Sequence, residues 1–416
     1  MQPRESIPGH LSSHTVLSIP NLISEDAGAR LNQLMRDLGS FDSNVNADLK
    51  SGFSGSREDI GEGQPVQRDG TCAHQYLIPN VNKTLCSLPQ RIDVGRHFML
   101  TGGPDAVRES YDQLIDRLSS FGKYMTDLSK LPVVEELFES DGFQDAAKKI
   151  CPADKQYLDP FQFNFIIQVP GQTVALHIDA PYFWGANRRD IPQWLLAAMV
   201  YSNLFNDRFI DQVQVVGYLH RWHPKDKANA GGDFIYYPGG KSSSQLLSPV
   251  PLAGNAVDGS KTVHAALVYR PDVKAPHVDK SSDATLMYAG NEKWNLVVNG
   301  KVQEVYDSDD LRVSIVYRAR CFRDADEVKK YQNYPEGDKL SVESVLDTIK
   351  NDLVARNVIS RDRLNLMSTL KLALFIMDSY ITYPLPTVDR AWIPYNYCAL
   401  PKLYPVTKSL MSIFCK

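Results

Sequence analysis

Between residues 157 and 322 the chain breaks into short runs rich in Val, Ile, Phe and Tyr, separated by Gly, Pro and Asn. They include FQFNFIIQVPG, QVQVVGYLHRW, GGDFIYYPGG, HAALVYRP, WNLVVNGKVQEVY and LRVSIVYRARCF. β-Branched and aromatic side chains suit a pleated, half-buried surface, while Gly, Pro and Asn supply turns. Many short strands with turn signals between them predict a barrel or jelly roll. Asn299-Gly300, between two alternating runs, is the strongest hairpin signal. One stretch breaks the pattern: IPQWLLAAMVYSNLFNDRF (191–209) predicts a helix inserted between strands.

The flanks read as helices. Ser24 is an N-cap, with Glu25 and Asp26 in the first turn, where negative charge suits the helix dipole. Leu31, Leu34, Met35 and Leu38 recur at helical spacing, and Gly39 is a natural stop. Residues 40–63 are polar and glycine-rich without periodicity, so a disordered loop or a lid is expected there. A second amphipathic helix is predicted over 105–121, through Val107, Tyr111, Leu114, Leu118 and Phe121. Past residue 323 the sequence is helical again, with Val342, Val345, Leu346, Ile349 and Leu353 on one face. The run 364–381 contains Asn365, Lys371 and Asp378, so a buried helix is expected rather than a membrane span. The predicted class is α+β: an N-terminal helical region (1–156), a jelly-roll core (157–322) with an insertion at 271–309, and a C-terminal helical region (323–416). All three are expected to pack as one unit.

A hydrophobic fraction of 43% and a charged fraction of 23% are those of a soluble globular chain. The net charge of -4 gives no reason to expect nucleic acid or an anionic membrane as partner. Cys72, Cys86, Cys151, Cys321, Cys398 and Cys415 lie far apart with no CxxC pair, a pattern expected of free thiols in a reducing compartment. MQPRESIPGHLSSHTVLSIP shows no basic start followed by an apolar core, so no secretory signal is read and a cytoplasmic protein is expected. On that reading the glycosylation acceptor Asn82-Lys83-Thr84 is a chance match.

Within the strand-rich block, ALHIDAPYFWG (175–185) carries His177 and Asp179 just after a glycine turn. Residues i and i+2 of a strand point the same way, so His-x-Asp presents an imidazole and a carboxylate together. A non-haem Fe(II) site wants two histidines and one carboxylate on one face, leaving three positions open. His264, at the start of an apolar run behind a glycine-containing turn, fits as the third ligand. Arg312 and Ser314 share a strand face, so a guanidinium fork and a hydroxyl can together hold a terminal carboxylate. Arg318 and Arg320 share that face and are rivals to Arg312, and Arg270 is a weaker one.

In this order the motifs resemble the 2-oxoglutarate- and Fe(II)-dependent dioxygenases, most closely the prolyl-hydroxylase-like branch. The family pattern is His-x-Asp, a GG-then-aromatic strand, a distal His and Arg-x-Ser. Here it reads HID (177–179), GGDFIYY (231–237), VH (263–264) and RVS (312–314). The resemblance covers residues 157–322 and implies a double-stranded β-helix core. It implies Fe(II) on His177, Asp179 and His264, with 2-oxoglutarate chelated beside them and its distal carboxylate on Arg312 and Ser314. Dioxygen would take the last position, and no catalytic residue beyond the metal ligands is implied. The arginine departs from the pattern in lying far beyond the distal histidine, which is why residues 271–309 read as an insertion.

Asp179 argues against halogenation, because halogenases of this family lack the carboxylate. Hydroxylation, desaturation and oxidative cyclisation all begin with the same hydrogen abstraction and stay open. The flanks suggest a specialised, natural-product enzyme acting on a small molecule or amino-acid derivative. A peptidyl or prolyl hydroxylase, a non-catalytic jelly-roll binding module and a metal hydrolase are the alternatives; Arg-x-Ser tells against the last two. Tyr182 and Trp184 read as substrate-pocket walls, and Asn164, with Gln168 on its face, as a co-substrate contact or a solvent-facing amide. Arg188 and Arg189 read as contacts for an acidic substrate or as a solvated turn. His220 and His223 read as loop histidines, and the second His-x-Asp, His277 and Asp279, as a decoy in an exposed loop.

Overall fold

In the computed structural model, the described residues are 7–11, 15–43, 60–67, 72–74, 76–79, 84–88, 116–125, 128–186, 188–227, 230–238, 244–278 and 282–382, with 405–407, 409, 410 and 413. The strands in chain order begin with β1 (Val16–Ile19), β2 (Ser40–Ser43), β3 (Gln64–Pro65), β4 (Ile78–Pro79), β5 (Leu85–Ser87) and β6 (Phe121–Met125). The central block holds β7 (Tyr157–Gln168), β8 (Val174–His177), β9 (Tyr182–Phe183), β10 (Phe209–Ile210), β11 (Gln212–Tyr218), β12 (Phe234–Tyr236) and β13 (Gln245–Leu247). It continues with β14 (Gly254–Val257), β15 (His264–Ala266), β16 (Ala284–Gly290), β17 (Lys293–Val298), β18 (Lys301–Asp307) and β19 (Arg312–Phe322).

Two antiparallel sheets dominate. The larger runs β1-β14-β11-β19-β7-β6-β2-β16-β17-β18, and the smaller runs β13-β12-β15-β8. The mixed class with large antiparallel sheets agrees with expectation. Asn299 and Gly300 both have positive φ and turn β17 into β18, with Val298 opposite Lys301, so the predicted hairpin is found. The run 284–307 adds three strands to the far end of the larger sheet.

The sheets are apolar on the outside. On the larger one, Phe165, Ile167, Val213, Val215, Val313 and Ile315 form a core with helices Glu25–Leu38, Pro132–Glu139 and Asp141–Ile150. On the smaller one, Leu176, Ile178, Ile235 and Ala265 pack with helices Gln193–Ser202, Val342–Ala355 and Thr369–Tyr380. Strand alternation therefore leaves the opposite, inner rows to polar residues.

The helix expected within 191–209 is Gln193–Ser202, apolar all round because helix Thr369–Tyr380 packs against it. Ser24 caps its helix through Ala27 N–H, and Gly39 ends it in the left-handed conformation. Among the described residues no helix is long and apolar enough to cross a membrane.

Three expectations are corrected. Residues 40–43, read as the start of a loop, are strand β2 because β6 and β16 flank and pair them; 44–59 lie outside the described residues. Phe121, read as a helix end, opens β6 and pairs with Ile167; most of the predicted 105–121 helix is likewise outside them. The free-thiol reading fails, because Cys72 is bonded to Cys86 and Cys151 to Cys321. With it goes the compositional argument for a reducing compartment, since disulfides persist in oxidising ones. Asn82, Cys398, Cys415 and Asp279 are outside the described residues.

Candidate active site

His177 ends β8 and His264 opens β15, and the two stand opposite one another in the smaller sheet. Asp179 follows two residues after His177, so strand alternation turns all three to the inner face. One ligand atom from each lies within 4.8 Å of the other two, making a cluster of metal-ligating residues. His264 and Asp179 are buried, and His177 is half-buried.

Both imidazoles are oriented from behind. His177 Nδ1 donates to the Ala175 carbonyl at 2.6 Å, and His264 Nδ1 donates to the Thr262 carbonyl at 2.8 Å. A proton fixed on Nδ1 leaves the Nε2 lone pair as donor, which is what a metal ion requires. Burial, then repulsion from His177, pushes His264 down to about 4, so it is neutral and ligand-ready near neutral pH. Burial alone would push the Asp179 carboxyl up. The Arg318 charge and both imidazoles outweigh it and hold the group well below the usual carboxylate range.

Arg318 reaches Asp179 from β19, with Nη2 at 2.6 Å from Oδ1. It is itself held by Gln214 at 2.6 Å and Gln162 at 3.3 Å, on the two strands flanking β19. Gly259 is essential to the fit: a Cβ there would lie 1.9 Å from Asp179 Oδ2. Neither residue stands out in the sequence as part of the metal cluster, since their roles depend on which strand faces Asp179.

Further along the inner row of β19, Arg312 is 4% exposed. Its Nη1 donates to Gln168 Oε1 at 2.6 Å, and its guanidinium lies 5.3 Å from the Tyr218 ring. Among the described residues no carboxylate forms an ion pair with it, and its Nε has no hydrogen-bond partner. Gln168 Nε2 and Asn255 Oδ1, also buried, lack partners too. Burial lowers the arginine's pKa, yet a guanidinium remains charged. A buried guanidinium with no ion pair among the described residues, held by a Gln168 amide that has an unpartnered N–H of its own, is costly unless an anion completes it. Ser314 and Tyr218 are cross-strand neighbours on the same row, and Asn255 Nδ2 donates to the Tyr218 hydroxyl at 2.8 Å. Gly232 lets the chain pass against Arg312, where a Cβ would lie 2.9 Å from Cδ.

The rival arginines are all paired: Arg318 with Asp179, Arg320 with Asp159 at 2.6 Å, and Arg270 with Asp272 at 3.0 Å. Asn164 is buried on the inner row and accepts from Gln162. Tyr182 and Trp184 belong to an aromatic cluster with Phe161, Phe322, Tyr331 and Tyr334. Arg188 and Arg189 are exposed in the turn before helix Gln193–Ser202 and are not part of the metal cluster. His220 is sandwiched between backbone carbonyls and stacked on Trp222, and His277 pairs with Asp116.

No protein-family model and no curated protein matches the chain. Among solved structures, it is similar to a prolyl-4-hydroxylase from Pseudomonas putida at 11% identity, covering 74% of this chain and 92% of that one, with a TM-score of 0.29. A prolyl hydroxylase from Trichoplax adhaerens, in complex with a hypoxia inducible factor peptide, is 9% identical over 77% of this chain and 87% of that one, TM-score 0.33. A non-heme alpha ketoglutarate dependent carbocyclase from nogalamycin biosynthesis is 10% identical over 79% and 90%, TM-score 0.32. The structural neighbours thus include prolyl hydroxylases and other 2-oxoglutarate and Fe(II) oxygenases. With TM-scores this low, it is the side chains that carry the chemistry.

Proposed function

We propose that the protein is an Fe(II)- and 2-oxoglutarate-dependent oxygenase that removes hydrogen from a substrate C–H bond. The observation that carries this reading is a His/Asp/His cluster able to hold a metal ion on the same inner surface as a buried guanidinium that has no ion pair among the described residues. The strand orders β13-β12-β15-β8 and β14-β11-β19-β7 support a double-stranded β-helix, with the site between its two sheets.

The donor set fits Fe(II): two imidazoles and one carboxylate are the ligands a non-haem iron site takes while leaving positions for other ligands. Fe(II) held there would let dioxygen act as the oxidant, with two electrons from 2-oxoglutarate, which leaves as succinate and CO2, and two from the substrate C–H bond. His177, Asp179 and His264 hold the metal. Arg312 grips the distal carboxylate of 2-oxoglutarate, helped by Ser314 and the Tyr218 hydroxyl, while Gln168 orients the guanidinium. Asn164 borders the co-substrate from β7. Arg318 keeps Asp179 ionised and fixed in rotamer. Tyr182 and Trp184 stiffen the wall beyond Arg320, and their bearing on substrate is through that wall.

The deciding experiment is anaerobic addition of Fe(II) and then 2-oxoglutarate to metal-free protein, followed by visible absorption. A weak charge-transfer band is expected in the wild type and absent in His177→Ala. Arg312→Ala should need roughly ten- to hundredfold more 2-oxoglutarate, the equivalent of one charged hydrogen-bonded contact. No band in the wild type at any concentration would overturn the oxygenase reading.

A further inference from the structure

The chain between β14 and β15, Asp258 to Val263, supplies no metal ligand, yet it touches two of them. The Gly259 carbonyl accepts the Asp179 N–H at 2.8 Å, and the Thr262 carbonyl accepts His264 Nδ1–H at 2.8 Å. Gly259 also packs so tightly on Asp179 that no side chain fits between them. A shift of this loop by an ångström would therefore turn the carboxylate and one imidazole together.

What fixes the loop lies on its other side. The Asp258 carbonyl accepts the N–H groups of Lys261 and Thr262, at 3.2 and 3.0 Å, closing a turn. Asp258 Oδ1 accepts from Ser260 N–H at 3.0 Å and from the Ser260 hydroxyl at 2.6 Å. These bonds shape the loop but do not anchor it. Two contacts tie it to the chain behind: Asp258 Oδ2 accepts the Gln212 N–H of β11 at 3.4 Å, and Lys261 places its Nζ 2.5 Å from Asp211 Oδ1 and 4.4 Å from the centre of the Phe209 ring. Lys155, from the turn ahead of β7, takes the other Asp211 oxygen at 2.6 Å. Asp211 sits between β10 and β11 and is 8% exposed, so the bridge works where water competes weakly.

We infer that Lys261, Asp211 and Lys155 form an ionic clamp whose task is to hold the Asp258–Val263 loop against the metal ligands, making Lys261 and Asp211 positioning residues for the metal centre. The inference rests on the proposed metal site. The clamp acts through the loop backbone: Asp211 fixes Lys261, Lys261 helps fix the backbone of Gly259 and Thr262, and those carbonyls, one step behind the ligands, set Asp179 and the His264 tautomer. Groups standing one step behind a ligand commonly govern affinity by ten- to hundredfold.

The test uses Co(II) as the probe on the full, metal-free chain, reading affinity by titration and ligand geometry by the visible bands. Lys261→Met keeps an unbranched apolar chain and removes the ammonium, with both its ion pair to Asp211 and its place over the Phe209 ring. It should weaken Co(II) roughly ten- to hundredfold and alter the bands, with Asp211→Asn behaving alike and Lys261→Arg restoring both. The metal-free melting point separates positioning from bulk stability. Lys261→Met with wild-type affinity and bands, whatever its melting point, would overturn the clamp while leaving the metal site standing. A wild type that binds no Co(II) would overturn the metal site and the clamp with it.

Discussion

Gly259 shows how narrowly the site is drawn at the scale of single residues. It has an ordinary negative-φ backbone, so alanine is tolerated conformationally, but the added methyl would fall 1.9 Å from Asp179 Oδ2. That oxygen has little room to retreat, because Asp179 is buried and its other oxygen is held by Arg318. Gly259→Ala should therefore fold normally by circular dichroism yet lose at least tenfold in metal affinity, measured by titration with Co(II). Unchanged affinity would mean that Asp179 is free to move and is not held as described. Strand alternation made the common face of His177 and Asp179 and the inner row of β19 legible in the sequence, whereas His264 joins them only because β15 pairs with β8. The choice among Arg312, Arg318, Arg320 and Arg270 was not legible. It depends on where carboxylates fall in the fold: Arg318 and Arg320 each meet one on a segment distant in sequence, Arg270 meets Asp272 two residues on, and among the described residues Arg312 has no ion pair.

At the scale of elements, sequence signals served where a segment carries its own instructions. The Asn299-Gly300 hairpin and the Ser24 and Gly39 caps are local chemistry, and they appear as expected. β2 and β6 carry no such signal: each is a short strand inserted between neighbours, and pairing rather than propensity makes it a strand. Helix Gln193–Ser202 lies between these cases, visible as a greasy run but explained only by its packing against helix Thr369–Tyr380 behind the smaller sheet. Leu196 within it is 0% exposed. Leu196→Ala should destabilise the fold by about 2–5 kcal/mol, the usual cost of a cavity in a close-packed core. Urea denaturation reads it directly, and a loss below about 0.5 kcal/mol would show that this layer is loosely packed.

Over the whole molecule, the least legible feature is covalent. Cys151 follows helix Asp141–Ile150 and Cys321 lies near the end of β19, and 170 residues separate them. Nothing in their spacing announces a pair; the fold brings together the helix on the outer face of the larger sheet and the strand that carries Arg312 and Arg318. Closing so long a loop restricts the unfolded chain strongly, and a bond of this kind stabilises by roughly 2–5 kcal/mol. It also pins β19 three residues beyond Arg318, so the strand that meets the metal cluster is fixed at one end. Alkylation of the unreduced, denatured protein should label no more than two of the six cysteines, since four are bonded in pairs. Cys151→Ser with Cys321→Ser should then lower the melting point, and the reductant that lowers it in the wild type should lower it less in that variant. Labelling of all six without reductant would show that these cysteines are thiols in solution, and would return to the chain the reducing compartment that its spacing first suggested.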